Sequence, residues 1–485
     1  MTKTSSTRTV GRRDVLKAGL TAAVLGGTGF GSAAFPTLAG HVGSAAWANG
    51  MTFGVGLDPA GPEMALPPGF SYKTFGAFGS AMSDGFITPP IHDGMGTFQD
   101  GENVRIVRNH ELGSGNDVFG PSVIGRRSTA YDRTAPGGTT TMIVDSDANL
   151  LESFVSLNGT DTNCSGAPTP WGTWLSCEET TIGTRRGKDR EHGYVFEVDA
   201  FANSSQNYSP HKGLGRFVHE AAAVDEETGV VYLTEDNNPD GFYRFVPDTF
   251  GDLSSGVLQV LAIKGQPNYN TVRNQTVGVP LPVKWFTIDD PDPEDAERHA
   301  RAVYAQGQAK GGARFLSGEG ATYREGSCVF GSSDAGDLGL GQIWQYTPTD
   351  DAGSVGERGE LELLFESPGR HFLDGPDNIC TSPGGAIVVA EDGKENSSFM
   401  RALLPDGSMI NLAQNLVGIR LSIIDASGKT YDPYVPDDDF TVADGLGYSE
   451  FAGPRFSPDG TWLFVNIQVP GITCAITGDW GSLGL

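Results

Sequence analysis

A unit that recurs along the chain constrains its fold more than any other feature. Each copy runs from a polar or acidic residue through a short apolar strand, a glycine-containing turn and a second apolar strand. It then reaches another polar or acidic residue, followed by glycine and an aromatic strand. The clearest copy is His219-Glu220, AAAVD, EETG, VVYLT, Glu235-Asp236 and GFYRFVP. Further copies begin at Glu319 and close at Ser333-Asp334, begin at Asp377-Asn378 and close at Glu391-Asp392, and begin at Asn163 and close at Cys177-Glu178-Glu179. One more runs from Gly453-Pro454-Arg455 to Asn466, and a weaker one from Asp93 through ENVRIV to Asn109-His110-Glu111. Six copies predict an all-β, six-bladed β-propeller with irregular insertions, as a single domain over 49–485. A β-sandwich or two smaller β domains would show as many strands but not this repeat. The 68 glycines and 29 prolines among 485 residues agree, being rich in turn formers and poor for long helices.

The spacing has a geometric consequence. Glu220 to Glu235 is 15 residues, Glu319 to Ser333 is 14 and Asn378 to Glu391 is 13. Each interval is one hairpin, so the residue before its first strand and the residue after its second share a rim. Repeated around a propeller, this predicts two rings of polar residues at one mouth of the channel, made of carboxylates, an amide and a thiolate. Carboxylates held so close raise one another's pKa unless cations neutralise them. Oxygen-rich rings suit Ca²⁺, and a thiolate adds a transition metal. Cys177, beside Glu178 and Glu179, is the thiol this reading selects. His110 and His219 each sit beside a candidate glutamate and are expected to orient it. Trp171 and Trp174 are expected to pack between blades.

Residues 1–48 read as a twin-arginine signal peptide. Gly11-Arg12-Arg13-Asp14-Val15-Leu16-Lys17 precedes an apolar, glycine-diluted run, and Ala46-Trp47-Ala48 offers a cleavage site. The expected partner is the twin-arginine export machinery, and the expected address is periplasmic or extracellular. No other stretch is long and apolar enough to span a membrane. The chain carries a net charge of −27, more negative still without its basic leader. Such a surface repels nucleic acid and anionic lipid. An anionic substrate would need local cations, for which bound metals are a source. Five cysteines outside the cytoplasm leave at least one unpaired. The stretch at about 250–312 reads as an insertion, a lid or a surface decoration. Its Asp292-Pro293-Glu294-Asp295 start and Gly311-Gly312 end predict one short helix. No GxSxG, Walker loop or HExxH motif is present.

Several separated motifs resemble the PhoX-type alkaline phosphatases. They are the leader, Asn109-His110-Glu111, PTPWGTWLSCEE, Arg216-Phe217-Val218-His219-Glu220, TEDN at 234–237 and Glu319-Gly320, with PDNI at 376–379, AEDG at 390–393 and GPRFSPDGTWLFVN at 453–466. The resemblance implies a six-bladed propeller with an iron (Fe³⁺) and calcium cluster that hydrolyses small-molecule phosphate esters as a monomer. It puts the family's cysteine iron ligand on Cys177 and its acidic ligands on Glu178, Glu179, Glu220 and Glu319. Asp377 also becomes a metal candidate beside the cluster, with Asn378 next to it. Glu235, Asp236 and Glu391 are implied as calcium ligands or their supports. Glu319, Asn378 and Arg455 are the expected catalytic contacts. One position departs from the family: an arginine usual two residues before Glu319 is Ser317 here. A serine cannot clamp phosphate bidentately, so Arg314 or Arg455 is expected to reach in. Two other readings keep the fold. One is a calcium-dependent lactonase or esterase, which needs no thiolate, and the other is a non-catalytic calcium-binding propeller.

Overall fold

The structure is a computed structural model describing residues 56–113, 124–349, 358–393, 398–420 and 446–485. The expected leader at 1–48 lies outside the described residues. The fold is all-β with one α-helix among the described residues, and its arrangement is propeller-like.

The recurring unit becomes an antiparallel meander. The first runs through His92–Asp100, Asn103–His110, Gly137–Val144 and Leu150–Thr160, and the second through Asn163–Pro168, Thr173–Glu178 and Val195–Asp199. The last sheet takes Phe451–Phe456, Leu463–Ile467 and Ile472–Thr477, then borrows its outer strand, Ser71–Phe75, from the other end of the chain. The inner strands of the meanders start at His92, Asn163, His219, Gly318, Pro376 and Phe451. Each touches the next in that order, and the last touches the first.

Local chemistry explains the hairpins. Between His219–Val224 and Val231–Glu235, Asp225 accepts from the Glu227 and Thr228 amides, and Gly229 takes a positive φ of 75°. Arg324 pairs with Ser327 across Glu325-Gly326, both at positive φ, as a tight two-residue hairpin requires.

Apolar seams hold neighbouring meanders together. Leu175, Cys177 and Val195 of the second pack against Ala222, Leu233 and Tyr243 of the third. Val329 and Ile343 meet Ile379, Val389 and Leu403 across another seam, and Met95 and Met142 meet Phe464 and Ala475 across a third. Each fully buried aliphatic or aromatic side chain contributes about 1.5–3 kcal/mol. These seams stabilise a molecule whose centre is polar.

The stretch around 250–312 differs from the expected insert. Asp252–Ile263 is the outer strand of the third meander, and Leu281–Thr287 pairs with both it and Gly359–Glu366. That strand joins the meanders starting at His219 and Gly318 into one nine-stranded sheet. The helix spans Ala302–Lys310 and starts well after the Asp292-Pro293 signal. Turns intervene, with the Arg298 and His299 amides both donating to the Asp295 carbonyl. Packing places the helix. Val303, Tyr304 and Gly307 are buried, and a Cβ on Gly307 would meet Val260 at 2.9 Å. Gly311, at φ 97°, ends it as expected.

Candidate metal centre

All six inner strands carry the same irregularity. The register against the second strand shifts between His92 and Met95, Asn163 and Gly166, His219 and Ala222, Gly318 and Ala321, Pro376 and Ile379, and Ala452 and Arg455. A bulge re-aims the side chain at its extra residue. The residues one past each first pair are Asp93, Cys164, Glu220, Glu319, Asp377 and Gly453. Five of these six can ligate a metal.

Their ligating atoms converge. Cys164, Glu179 and Glu220 lie within 4.8 Å of one another, as do Glu220, Glu319 and Asp377. Sharing Glu220, the two triads form one continuous group of a thiol and four carboxylates. The Cys164 thiol donates to Glu220 Oε1 at 2.9 Å, and the Ser333 hydroxyl donates to Glu319 Oε1 at 2.5 Å. Asn378 Nδ2 donates to Asp377 Oδ1 at 2.8 Å, while its Oδ1 accepts from the Gly453 amide at 2.6 Å. The strands approach closely here, since a Cβ on Gly320 would sit 2.6 Å from Asn378 Cα. That contact is the physical reason for glycine directly after Glu319. A third group, Asp93, Glu111 and Glu450, shares no residue with the other two, and Gln468 Nε2 donates to both Asp93 and Glu111.

Of the residues singled out in the sequence, the structure thus brings Glu179, Glu220, Glu319 and Asp377 together, with Asn378 orienting Asp377. Cys177 is not among them, which corrects the expected thiol. In an extended strand alternate residues share a face, so Cys177 joins Leu175 in the apolar seam. Burial, then the nearby Glu178 charge, pushes its thiol pKa well up. The sequence held a signal for Cys164: Asn163-Cys164 aligns with His219-Glu220 and Gly318-Glu319 when units are matched on their inner strands. Matching them on the following acids selected Cys177 instead.

Glu178, Glu235 and Glu391 form a second correction. They occupy one register position, opposite Asn163, His219 and Pro376. Each is engaged in holding a loop. Glu178 accepts from the Asp161, Gly193 and Tyr194 amides at 2.9, 2.8 and 3.1 Å and pairs with His192 Nδ1 at 2.6 Å. Glu235 Oε2 accepts from the Tyr243 hydroxyl at 2.7 Å, and burial raises the pKa of this carboxyl to about 8. Glu391 pairs with Arg401 Nε at 2.9 Å and accepts from the Asp374 amide, its pKa raised to about 7 by burial. Asp236 is half-buried on the rim and belongs to none of the three groups.

Arg455 also lies elsewhere. Its Nε donates to the Met95 carbonyl at 3.3 Å, at the seam between the last and first inner strands and near Cys380. Arg314 lies beside Tyr304. Ser317 sits at φ 48°, its amide bonded to the Asn237 carbonyl at 2.9 Å.

The donor set fits metal. Cys164, Glu220, Glu319 and Asp377 are between 0 and 7% exposed. Acidic groups packed this closely away from water stay ionised only beside cations. Carboxylate oxygens suit Ca²⁺, and a thiolate among them suits a transition metal such as iron. No helix among the described residues is long and apolar enough to cross a membrane. None of the five cysteines is in a disulfide.

The family model for the alkaline phosphatase PhoX matches residues 54–471. Among solved structures, Pseudomonas fluorescens PhoX in complex with vanadate, a transition state analogue, superposes with a TM-score of 0.62 at 16% identity. The match covers 89% of this chain and 98% of that one and speaks to the fold. A gluconolactonase from Xanthomonas campestris aligns at 11% identity over 87% of this chain and 98% of its own, with a TM-score of 0.41. No curated protein matches the chain.

Proposed function

The chain belongs to the PhoX family of alkaline phosphatases, and on that premise we propose that it hydrolyses phosphomonoesters at an iron–calcium cluster. Cys164, Glu179, Glu220, Glu319 and Asp377 would hold the metals. The observation that carries this reading is the repeated bulge, which turns a thiol and three carboxylates from successive inner strands into one buried group.

Ferric iron and calcium held there would supply positive charge for the ester phosphate and for the charge that builds up in the transition state. The chain's own residues prepare the place. Asn378 fixes the Asp377 carboxylate and ties it to the last inner strand through the Gly453 amide. Ser333 fixes the Glu319 carboxylate. Glycine at 320 lets these two strands approach closely enough to bring Glu319 and Asp377 together. Preorganised groups of this kind reorganise little during reaction, which is where electrostatic catalysis draws its advantage.

The cyclic contact of the inner strands supports six blades, and the reading includes a single domain over 49–485 behind a leader cleaved on export to the periplasm or beyond. A calcium-only lactonase would have no use for Cys164 in the group. The deciding experiment is elemental analysis of protein exported by its own leader, with a phosphomonoester assay. Iron and calcium in near-integral amounts, with iron and hydrolysis both lost in Cys164→Ser, are expected. Calcium without iron, or lactone hydrolysis in place of phosphatase activity, overturns the reading.

A further inference from the structure

A cavity of about 740 Å³ lies between the Ala302–Lys310 helix with its preceding turns and the loop at Asn237–Pro239. Its walls include Arg298, His299, Arg301 and Tyr304. Among the described residues the Arg298 guanidinium has no ion-pair or hydrogen-bond partner. Arg301 makes one such bond, Nη1 to the Asn238 carbonyl at 2.8 Å. The acid in the wall, Asp295, faces His299 at 3.8 Å. The Tyr304 hydroxyl is buried without a partner among the described residues, in a side chain 3% exposed. Both arginines are exposed, and Asp295 is the one acid among the residues lining the cavity, on a chain of net charge −27.

The cavity adjoins the metal centre through one loop. Ser317 donates its amide to the Asn237 carbonyl, Gly318 donates to Asp240 Oδ2 at 3.0 Å, and Thr234 Oγ1 donates to the Glu319 carbonyl at 2.6 Å. Arg301 grips the same loop from the other side.

We propose that this cavity receives a second anionic group, carried on the leaving alcohol, so that the preferred esters bear negative charge beyond the phosphate. The inference rests on the phosphatase reading above. Arginine suits the task because its planar fork meets a carboxylate or phosphate with two parallel hydrogen bonds. Arg298 is poised to make that contact. Arg301 holds the loop and also lines the cavity.

The test compares phenyl phosphate with para-carboxyphenyl phosphate, alike except for the added carboxylate. Wild type should show the lower KM for the carboxylated ester. The double variant Arg298→Ala, Arg301→Ala should raise that KM about tenfold more than it raises the KM for phenyl phosphate. Arg298→Ala alone, which removes no hydrogen bond described here, should give part of the effect and Arg298→Lys less. Equal KM values in wild type, or equal shifts for both esters, overturn the proposal and leave the phosphatase reading standing. Hydrolysis of neither ester by wild type sinks the phosphatase reading instead. Calorimetric titration with the same two esters then decides the cavity's role. Tighter binding of the carboxylated ester, lost in the double variant, keeps the cavity as an anion site, and equal binding removes it.

Discussion

Two neighbouring strands of one sheet place their cysteines in opposite worlds. Cys177 lies in a regular stretch of Thr173–Glu178, paired in register with Val195, and faces the apolar seam. Cys164 lies in the bulge of Asn163–Pro168 and meets Glu220 and Glu179 at the polar centre. Both are fully buried. Burial alone therefore does not separate a thiol in an apolar seam from one set among carboxylates. The difference is one unpaired residue in the backbone ladder, which rotates the side chain off the alternation that the rest of the strand obeys. The same lesson covers the acids. Glu319 and Asp377 sit on bulges and converge, while Glu178 and Glu391 sit on regular strand ends and hold loops.

The largest effect should come from Glu220, shared by both triads. Glu220→Ala should lose bound metal and reduce phosphomonoester hydrolysis to background, read by elemental analysis and turnover. Retained metal and activity would break the distinction between bulged and regular positions.

Next comes a regular-position acid. Arg401 and Glu391 are both nearly fully buried and paired at 2.9 Å. Arg401→Ala strands a buried carboxylate and should cost about 3–5 kcal/mol in denaturant unfolding. The metal content of the protein that remains folded should not change.

His192 sharpens the comparison through pH. Burial pulls its pKa down, but the Glu178 charge and the bonds to Asp132 and Glu178 outweigh that and hold it at about 9, against 6.5 in the unfolded chain. The folded state binds the proton more tightly, so this stabilisation is complete below about pH 6.5 and disappears as pH rises through 9. It amounts to about 3 kcal/mol. His192→Gln should flatten the fall in unfolding free energy between those limits, and an unchanged pH profile would count against the pairing.

Cys177→Ser should show the smallest effect, about 1–2 kcal/mol for a hydroxyl placed in an apolar seam. Iron content and turnover should stay at wild-type levels, in contrast to Cys164→Ser.

Much of the architecture is legible in the sequence because it follows from local rules. Alternating apolar residues and turn signals such as EETG announce the hairpins, and the recurring polar punctuation announces that their ends share a rim. That Ser71–Phe75 completes the last sheet is not visible in the sequence. Less visible are contributions made at a distance. Leu281–Thr287 joins two meanders by pairing with a strand about eighty residues away. The helix begins at Ala302 because Val303, Tyr304 and Gly307 find a surface to bury against, not because Pro293 offers a start. Arg455 stands in a motif that looks functional, yet its carbonyl partner belongs to the first inner strand.

The sequence by itself determined that this chain builds repeated antiparallel hairpins whose ends are acidic, and its resemblance to a family pointed to Glu179, Glu220, Glu319 and Asp377. The hairpins are consequences of period-two alternation and of turn chemistry, which act over a few residues. Only the tertiary structure decided that Cys164 rather than Cys177 joins those acids, that Glu178, Glu235 and Glu391 hold loops, and that Arg298 and Arg301 line one cavity. A bulge changes side-chain direction by changing the pairing between two strands. Pairing is a relation between segments, so it is read only once both are in place.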